Sequence, residues 1–467
     1  MNQARFRRTT GVLASLALAS LWAGSAVAAP IKLGAYYCPT TPCVSTEAGS
    51  LNAYKTAFGR YPAIALNYRD LDLPLLYSGE RTALKERGVV PMMTVEPIVE
   101  VGGEEVSASL EAIKEGEYDA DIRSEAKEAV AYGGEVLLRF AHEMNGTWYA
   151  WSGSPTLYKE AWKHYVGIFR EEKATNVKFV WSPNVSDGGT YPFAEYFPGD
   201  EWVDYVALDG YNWGGSEWRS LSTAFKSSYD EITTLSAKPV IIAETASTEG
   251  SGASAKATWI CQGFLKAIPE TMPKVAVAVW FSRDLSGAGQ RDWRIETSTQ
   301  ATEAWKEVSE NSLYGGSVYD LRPNATLSTE NPWTVVGATS AWDALNDWGT
   351  EAMTPDTSNY ITATTVSGSP VYTTDVDLET TSLTGKTIKS ASVRYYTSVA
   401  PGETVEARSS TTSLASQTAI TSGWHSLTLS LSGSQSQLDG LYLRFKPNTE
   451  LGSRRVSAAF LRLALSP

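Results

Sequence analysis

The sequence predicts an α/β protein: a (β/α)8 barrel, or TIM barrel, followed by a smaller all-β sandwich module. Two observations predict the barrel. Short apolar runs rich in β-branched residues alternate with amphipathic helical stretches, and about 280 residues hold eight such units, the usual size of this fold. A third observation predicts the second module: beyond about residue 312, helical periodicity gives way to short alternating runs separated by Ser, Thr and Gly.

The eight predicted barrel strands are apolar on both faces, as expected for parallel strands between a barrel interior and an outer helix layer. They are Lys32–Tyr37, Ala63–Tyr68, Val89–Val95, Val136–Phe140, Val177–Trp181, Asp204–Leu208, Pro239–Ala243 and Lys274–Phe281. The clearest amphipathic helices are Tyr158–Glu172, Ser222–Leu235, Ala255–Ile268 and an eighth near Thr297–Glu310. A doubly wound open sheet is the alternative, but no G-x-G-x-x-G or G-K-[ST] nucleotide-binding pattern follows the first strand.

The carboxy-terminal region has its own pattern, so we divide the chain into a barrel domain at 29–311 and a β-module at 312–467. Its alternating runs are Ser392–Tyr396, Ser426–Leu431, Gly440–Phe445 and Val456–Leu463. Four tryptophans could form a carbohydrate-binding surface there: Trp333, Trp342, Trp348 and Trp424. The alternative is a sandwich that buries these rings in its core and serves as a spacer or surface anchor.

The amino terminus has the pattern of a secretory signal peptide over residues 1–28. Arginines precede an apolar run at Val12–Trp22, and the small residues Ala26, Val27 and Ala28 follow it. The run is too short to span a bilayer, and no later stretch is long enough either. We therefore expect a secreted protein, extracellular or associated with the cell surface, without a membrane partner.

Composition excludes several classes of function. The chain has 39 Lys+Arg against 52 Asp+Glu, a net charge of −13, which argues against nucleic acid or an anionic membrane as a partner. Only 3 His and 3 Cys are present, so we expect no metal site and no cofactor. In an oxidising compartment Cys38 and Cys43 could form a local disulfide, which would leave Cys261 unpaired.

Barrel enzymes carry their reactive side chains at the C-terminal ends of the strands. In this sequence those ends hold carboxylates, aromatic rings and amides, with almost no histidine. The richest are Arg139–Gly146 after the fourth strand, Asp209–Trp213 after the sixth, Ala243–Thr245 after the seventh and Trp280–Asp284 after the eighth. Such residues are typical of a sugar-processing cleft, in which rings stack on pyranoses and carboxylates do the acid–base and nucleophilic work.

Glu143 and Glu244, after the fourth and seventh strands, form the important pair. On an eight-stranded barrel these two ends lie across the mouth from each other. A retaining glycosidase needs its two carboxyl groups about 5–5.5 Å apart, one as nucleophile and the other as acid and base. The placement of the pair permits that mechanism.

Three segments resemble motifs of glycoside hydrolase family 26. LRFAHEMNGTWYAW at Leu138–Trp151 is similar to the acid/base signature of that family, and it is the most specific of the three. VIIAETAS at Val240–Ser247 resembles the nucleophile strand, and VALDGY at Val206–Tyr211 resembles the motif of the sixth strand. The resemblance covers about residues 31–310, with the motifs in the expected order.

The resemblance implies roles for seven residues. Glu143 would be the general acid/base (the proton donor) and Glu244 the nucleophile of a retaining, metal-independent endo-β-1,4-glycanase. Of the five supporting residues, His142 would tune the acid/base and Tyr211 would hydrogen-bond the nucleophile. The other three would bind the sugar: Trp148, Trp280 and Arg139.

The resemblance also implies a polysaccharide substrate, for which β-mannan is the first prediction and mixed-linkage β-1,3-1,4-glucan (lichenan) the alternative. Two departures from the family pattern put the sugar in question: Ala150 interrupts an expected double tryptophan, and Phe281 and Ser282 separate Trp280 from Arg283. The segment Asp292–Ile295 resembles one found in other members, including glucan-cleaving ones. A non-catalytic glycan-binding barrel is the rival of a different class, but both glutamates are present. We expect a monomer.

Overall fold

The computed structural model describes the barrel region at 29–186, 188–252 and 254–321. In the carboxy-terminal region it describes 323–329, 334–336, 338, 345, 360–365, 374–399, 403–409, 412–419, 421–447 and 452–466. The predicted signal peptide at 1–28, and Trp333, Trp342 and Trp348, lie outside the described residues.

Eight parallel strands close into a barrel, which confirms the predicted fold. They are β1 (Lys32–Tyr37), β2 (Ile64–Asp70), β3 (Val90–Glu96), β6 (Val136–Phe140), β7 (Val177–Trp181), β8 (Tyr205–Asn212), β9 (Val240–Ser247) and β10 (Val275–Ser282). They pair in chain order, and β10 closes the barrel against β1. A hairpin that the sequence analysis did not predict follows β3; its strands are β4 (Ile98–Val101) and β5 (Glu104–Ser107).

Nine helices among the described residues surround the barrel. They are α1 (Glu47–Phe58), α2 (Ser78–Arg87), α3 (Leu110–Glu115), α4 (Asp119–Tyr132), α5 (Pro155–Glu171), α6 (Leu221–Leu235), α7 (Ala255–Cys261), α8 (Ile268–Thr271) and α9 (Thr299–Glu310). A π-helical turn at Gln262–Ala267 joins α7 to α8, where the sequence predicted one continuous helix. Hydroxyl side chains accept backbone N–H groups at the starts of α1, α6 and α9, where helix N–H groups would otherwise lack partners.

The strands are buried on both faces. One set of side chains, including Ile64, Leu66 and Met92, fills the barrel interior, and a second set packs between strands and helices. At Gly34 in β1, a Cβ atom would lie 2.8 Å from Cβ of Ile64 and 2.9 Å from Cγ2 of Val279. Only glycine therefore fits where β1 approaches its neighbours.

The carboxy-terminal region forms two antiparallel sheets with a common apolar core, as the predicted all-β module requires. One sheet contains β11 (Val318–Leu321), β13 (Thr334–Val336), β14 (Tyr360–Thr365), β16 (Thr387–Val399), β19 (Gly423–Thr428) and β21 (Gly452–Ser466). The other contains β12 (Pro323–Thr329), β15 (Thr374–Leu378), β17 (Glu403–Ser409), β18 (Thr412–Thr418) and β20 (Leu441–Pro447). A short helix, Gln435–Asp439, precedes β20. Trp424 is partly buried and lies against Tyr396 and Phe460.

The barrel ends slightly later than the predicted boundary. Tyr314 is buried in the barrel core, its hydroxyl donates to the carbonyl of Phe264 at 2.7 Å, and Arg60 donates to its backbone carbonyl at 3.1 Å. The packed barrel thus extends three residues beyond residue 311. An ion pair between Glu307 on α9 and Arg462 on β21 connects the two domains.

Cys38 and Cys43 form a disulfide in the loop between β1 and α1, and Cys261 is a free, buried thiol. Among the described residues, none of the helices is long and apolar enough to cross a membrane.

Candidate active site

The C-terminal ends of four strands bring three of the predicted residues and Tyr68 together at one mouth of the barrel. Tyr68 lies on β2, Arg139 on β6, Tyr211 on β8 and Glu244 on β9. Glu143 follows β6 in the loop that leads to α5. Glu143 and Glu244 are both buried, but each makes a different set of contacts.

Three side chains hold the Glu244 carboxylate. Its Oε1 accepts a hydrogen bond from the Tyr68 hydroxyl at 2.7 Å and one from the Arg139 guanidinium. Its Oε2 accepts one from the Tyr211 hydroxyl at 2.5 Å, the contact predicted for that tyrosine. Donors from three strands therefore fix both oxygens of Glu244.

These donors keep Glu244 ionised. Burial alone would raise the pKa of Glu244, but the positive charge of Arg139 and the hydrogen bonds from Arg139 and Tyr211 outweigh it. The resulting pKa lies below the ordinary glutamate value. Glu244 is thus an oriented anion at neutral pH.

Arg139 is fully buried, and this corrects its predicted role in sugar binding. Besides Glu244, its guanidinium donates to both oxygens of Asp209, at 2.9 and 3.0 Å, and to the Thr94 hydroxyl at 2.9 Å. The Ser182 hydroxyl also donates to Asp209, at 3.0 Å. Since its guanidinium is buried and occupied by protein groups, Arg139 orients the Glu244 carboxylate and is not open to a ligand.

Replacing Arg139 with methionine is expected to lower the free energy of unfolding by about 3–5 kcal/mol, because it leaves two carboxylates buried without their counter-charge. Urea denaturation measures the change. The matched control is Lys32→Met, which breaks an exposed pair with Glu135 and should cost less than about 1 kcal/mol. Similar losses in the two variants would show that the buried pairing is not what stabilises the barrel.

The backbone around Glu143 has an unusual conformation. Ala141 and Glu143 have φ angles of 45° and 51°, which lie in the left-handed region that residues other than glycine rarely adopt. The Glu143 N–H donates to the carbonyl of Ser182 at 2.8 Å, which helps to hold this turn. Such conformations concentrate at functional sites, where the surrounding structure enforces them. Here the turn presents Glu143 at the barrel mouth.

Glu143 is a carboxyl group poised between its two protonation states. Burial, followed by the negative charge of Glu244, raises the pKa of Glu143 to about 7. Two hydrogen bonds oppose that shift: Asn184 donates to Oε1 and the Trp148 indole to Oε2, each at 2.7 Å. Near neutral pH Glu143 can therefore hold or release a proton while Glu244 stays ionised.

His142 is buried and neutral. Burial, and then the charge of Arg139, lower the pKa of His142 to about 3. Its Nε2 lies 3.0 Å from the Tyr149 hydroxyl and 4.0 Å from Oε1 of Glu244. The sequence analysis assigned His142 to tuning the acid/base Glu143, whereas the structure places its imidazole beside Glu244.

The two predicted sugar-binding tryptophans have different environments. Trp148 is 48% exposed at the mouth, where its ring is open to a ligand while its indole N–H binds Glu143. Trp280 is completely buried, and its N–H donates to the carbonyl of Trp293 at 2.8 Å. The prediction that Trp280 stacks on sugar is therefore wrong.

Strand alternation explains the error at Trp280. Neighbouring side chains on a strand point to opposite faces. Trp280 points outward, toward Trp259 and Trp305 in the helix layer. Its neighbour Phe281 points inward and stacks on Tyr36, with ring centroids 5.0 Å apart.

Sequence reasoning missed two residues that contact the catalytic pair, Tyr68 and Asn184. Tyr68 ends one predicted strand and Asn184 follows another, so the strand-end rule covers their positions but not their contacts. A third contribution comes from Trp151, which follows Ala150 where that residue interrupts the double tryptophan of the family pattern. It is buried, stacks on Tyr149 at 4.2 Å, and donates to the carbonyl of His142 at 2.7 Å. Trp151 thus supports the site from behind.

The donor set of this site does not suit a cation. Each carboxylate oxygen of Glu143 and Glu244 faces an N–H or O–H donor, which a metal ion would have to displace. The described part of the chain also contains no group of three or more His, Cys, Asp or Glu side chains arranged to hold a metal.

Comparison with known proteins identifies a family. The sequence model of a family described as "Glycosyl hydrolase family 26" matches residues 115–260. Endoglucanase H of Acetivibrio thermocellus is 39% identical over 209 residues, which are 42% of this chain and 22% of that protein. A mannan endo-1,4-beta-mannosidase of Bacillus subtilis is 29% identical over 170 residues, 34% of this chain and 42% of that protein. Beta-1,3-xylanase TXYA of a Vibrio species is 27% identical over 171 residues, 35% of this chain and 36% of that protein.

Among solved structures, a modular endo-beta-1,4-mannanase from Cellulomonas fimi is 16% identical, with a TM-score of 0.45, and the alignment covers 89% of this chain and 88% of that one. The chain spans less than half the length of each of the three curated relatives described above.

Proposed function

The chain belongs to glycosyl hydrolase family 26 through its barrel, and we propose that it is a retaining endo-β-glycanase. Glu244 is the nucleophile and Glu143 is the general acid and base. The observation that carries this proposal is the opposite pKa shift of two carboxyl groups at one barrel mouth. Two carboxyl groups whose environments separate their pKa values in this way can act as proton donor and anion in the same reaction.

The first half-reaction forms a bond between Oε of Glu244 and the anomeric carbon. As the glycosidic C–O bond breaks, Glu143 gives its proton to the departing oxygen. The shorter glycan leaves as an alcohol, and the remaining sugar is an ester of Glu244. Glu244 loses its charge in this step, while Arg139 still donates to both oxygens of Asp209.

The second half-reaction releases the sugar. Glu143, now a carboxylate, removes a proton from a water molecule, whose oxygen attacks the anomeric carbon and displaces Glu244. Both carboxyl groups return to their starting states. Two inversions at one carbon give net retention of configuration, which NMR of the first products detects directly.

For the substrate we propose β-1,4-linked glucan chains, including mixed-linkage glucan, ahead of β-mannan. Two observations favour glucan over the mannan predicted first. The relative named as an endoglucanase matches this chain at higher identity and over more residues than the Bacillus subtilis mannosidase described above. The segment Asp292–Ile295, which resembles one found in other members, including glucan-cleaving ones, also places the Trp293 ring against Tyr211 at a centroid distance of 4.9 Å.

A substrate panel tests this proposal. Residues 29–467 are assayed for reducing-sugar release on lichenan, glucomannan, mannan and xylan, with and without EDTA. We expect release from lichenan to be fastest and EDTA to have no effect. Faster release from pure mannan would restore the mannan prediction, and no release from any β-glycan would contradict the enzymatic proposal for these substrates.

We also propose that the protein is secreted. The charged, apolar and small-residue pattern at 1–28 supports export, and the disulfide between Cys38 and Cys43 suits an oxidising compartment. Mass spectrometry of protein from the medium of a secreting bacterial host should find a chain that begins at Ala29. Full-length chain retained inside the cells would contradict export.

Replacing Trp148 with phenylalanine should shift the alkaline limb of the pH profile of kcat/KM upward by about one pH unit. The lost indole N–H stabilised the charged form of Glu143, so its removal raises the pKa of Glu143 and keeps the acid protonated at higher pH. Asn184→Ala should shift the limb in the same direction. Trp202→Phe, before β8 at the opposite end of the barrel, is the control, and an unmoved limb in Trp148→Phe would contradict the assignment.

A further inference from the structure

The loop between β8 and α6 carries two tryptophans that the fold does not require to be exposed. Trp213 is 39% and Trp218 37% exposed, whereas Trp162, Trp181 and Trp305 in the same domain are completely buried. Leaving a large aromatic side chain in water forfeits the stabilisation that its burial would give. Two such rings on one loop at the catalytic mouth therefore suggest a ligand.

The loop holds these rings on an ordered backbone. The N–H of Glu217 donates to the carbonyl of Gly214 at 2.9 Å, which closes a turn between the two tryptophans. On either side of that turn, Arg219 N–H donates to the Asn212 side chain at 2.9 Å, and Arg291 donates to the carbonyl of Trp213 at 3.1 Å. Rings presented on a fixed loop lose less freedom on binding than rings on a mobile one.

An aromatic wall connects Trp213 to the nucleophile. The Trp213 and Trp293 rings are nearly perpendicular, with centroids 5.0 Å apart, and Trp293 lies 4.9 Å from Tyr211. Tyr211 in turn donates its hydroxyl to Glu244. The Tyr211 and Trp213 rings also lie 6.0 Å apart, whereas Trp293 is buried and packs behind both. A chain bound at Glu244 can therefore pass from Tyr211 to the exposed face of Trp213.

Trp218 borders a cavity of about 400 Å³ between this loop and the loop after β9. The other lining residues are small: Gly215, Gly250, Ser251 and Ala255. At Gly250, where φ is +68°, a Cβ atom would lie 2.5 Å from the Trp218 ring, so that backbone can approach the ring only as glycine. A cavity of this size, with one aromatic wall and the polar Ser251 side chain in its lining, has room for a single sugar unit.

We propose that Trp213 and Trp218 form an outer subsite, on which sugar rings of the β-glycan chain stack beyond the catalytic pair. This inference rests on the proposed function and specifies how the site binds a long substrate. The apolar faces of pyranose rings match flat indoles, and neither ring contacts Glu143 or Glu244 directly in the described contacts. The subsite therefore contributes affinity for long chains and leaves the chemistry of bond cleavage unchanged.

The test compares chain lengths. Trp218→Ala and the double variant Trp213→Ala/Trp218→Ala are assayed on a hexasaccharide and a trisaccharide of whichever glycan the wild type hydrolyses. We expect kcat/KM on the hexasaccharide to fall by about tenfold, through KM, with little change on the trisaccharide. The conservative pair Trp213→Tyr/Trp218→Tyr, which keeps flat rings, should recover most of the loss. Trp202→Ala, at the opposite end of the barrel, should change neither substrate.

A binding measurement separates this inference from the proposed function. In the Glu244→Gln background, calorimetry with the hexasaccharide should show about tenfold weaker binding when both tryptophans are replaced. Turnover with equal losses on both chain lengths, or unchanged binding, would overturn the subsite and leave the catalytic proposal standing. If the wild type neither cleaves nor binds any β-glycan of the panel, the proposed function fails and the subsite fails with it.

Discussion

Replacing Glu244 with alanine is expected to lower kcat on β-glycan by at least about 10⁴-fold, because no group remains to form the covalent intermediate. Reducing-sugar assays at saturating substrate measure the loss. The control is Glu135→Ala, an exposed glutamate before β6 at the opposite end of the barrel, which should retain wild-type kcat. Thermal unfolding of both variants checks that lost activity is not lost folding.

Chemical rescue then identifies the missing role of Glu244. Alanine leaves space at the end of β9 for a small anion such as azide, which can attack an activated aryl glycoside from the face that Glu244 occupied. One displacement in place of two inverts the anomeric centre, so the product should be a glycosyl azide of inverted configuration. A glycosyl azide of retained configuration would show that Glu244 is not the nucleophile.

The strand-end rule explains why the placement of Glu143 and Glu244 at one mouth could be predicted from sequence. In a (β/α)8 barrel the C-terminal ends of all strands meet at one mouth, so a local pattern places Glu143 and Glu244 together without any knowledge of long-range contacts. The hydrogen bonds within that mouth cannot be predicted in the same way. Tyr68 donates a hydrogen bond to Glu244, which lies 176 residues away in the sequence, and Arg139 donates one to Asp209, which lies 70 residues away. No local pattern states which donor faces which acceptor.

Trp280 illustrates a second limit. On a strand with one solvent-exposed face, alternation of polar and apolar residues shows which side chains point inward. Strand β10 reads VAVAVWFS and is buried along most of its length on both faces, so hydropathy does not distinguish Trp280 from Phe281. Sequence could place an aromatic pair at the strand end, but only the register of the barrel assigns Trp280 to the helix layer and Phe281 to the interior.

Arg139 shows how burial changes the role that a charged side chain can have. In sequence an arginine beside the acid/base motif fits a sugar-binding residue. In the structure it has no exposed surface, and its guanidinium is engaged by Asp209, Glu244 and Thr94. Its direct contact with the pair of glutamates is therefore with Glu244, whose pKa it lowers.

Replacing Glu143 with alanine is expected to lower kcat on polysaccharide by about 10²–10⁴-fold, since the departing sugar oxygen receives no proton. A dinitrophenyl glycoside, whose leaving group needs no proton, should still react with Glu244 in the first step. Its second step lacks a base, so the glycosyl-enzyme should accumulate and release dinitrophenol in a burst. Stopped-flow absorbance measures the burst, and a first-step rate on the dinitrophenyl glycoside that falls as far as kcat on polysaccharide would contradict the acid/base role.

The pH profile gives an independent test of the same variant. In the wild type, activity should fall as pH rises through about 7, because Glu143 loses the proton that it must donate. Glu143→Ala has no such group, so its rate on the dinitrophenyl glycoside should lose that alkaline limb. Azide should accelerate the second step and give a glycosyl azide of retained configuration, the opposite of the product from Glu244→Ala. An alkaline limb that persists in Glu143→Ala would assign the titration near pH 7 to another group.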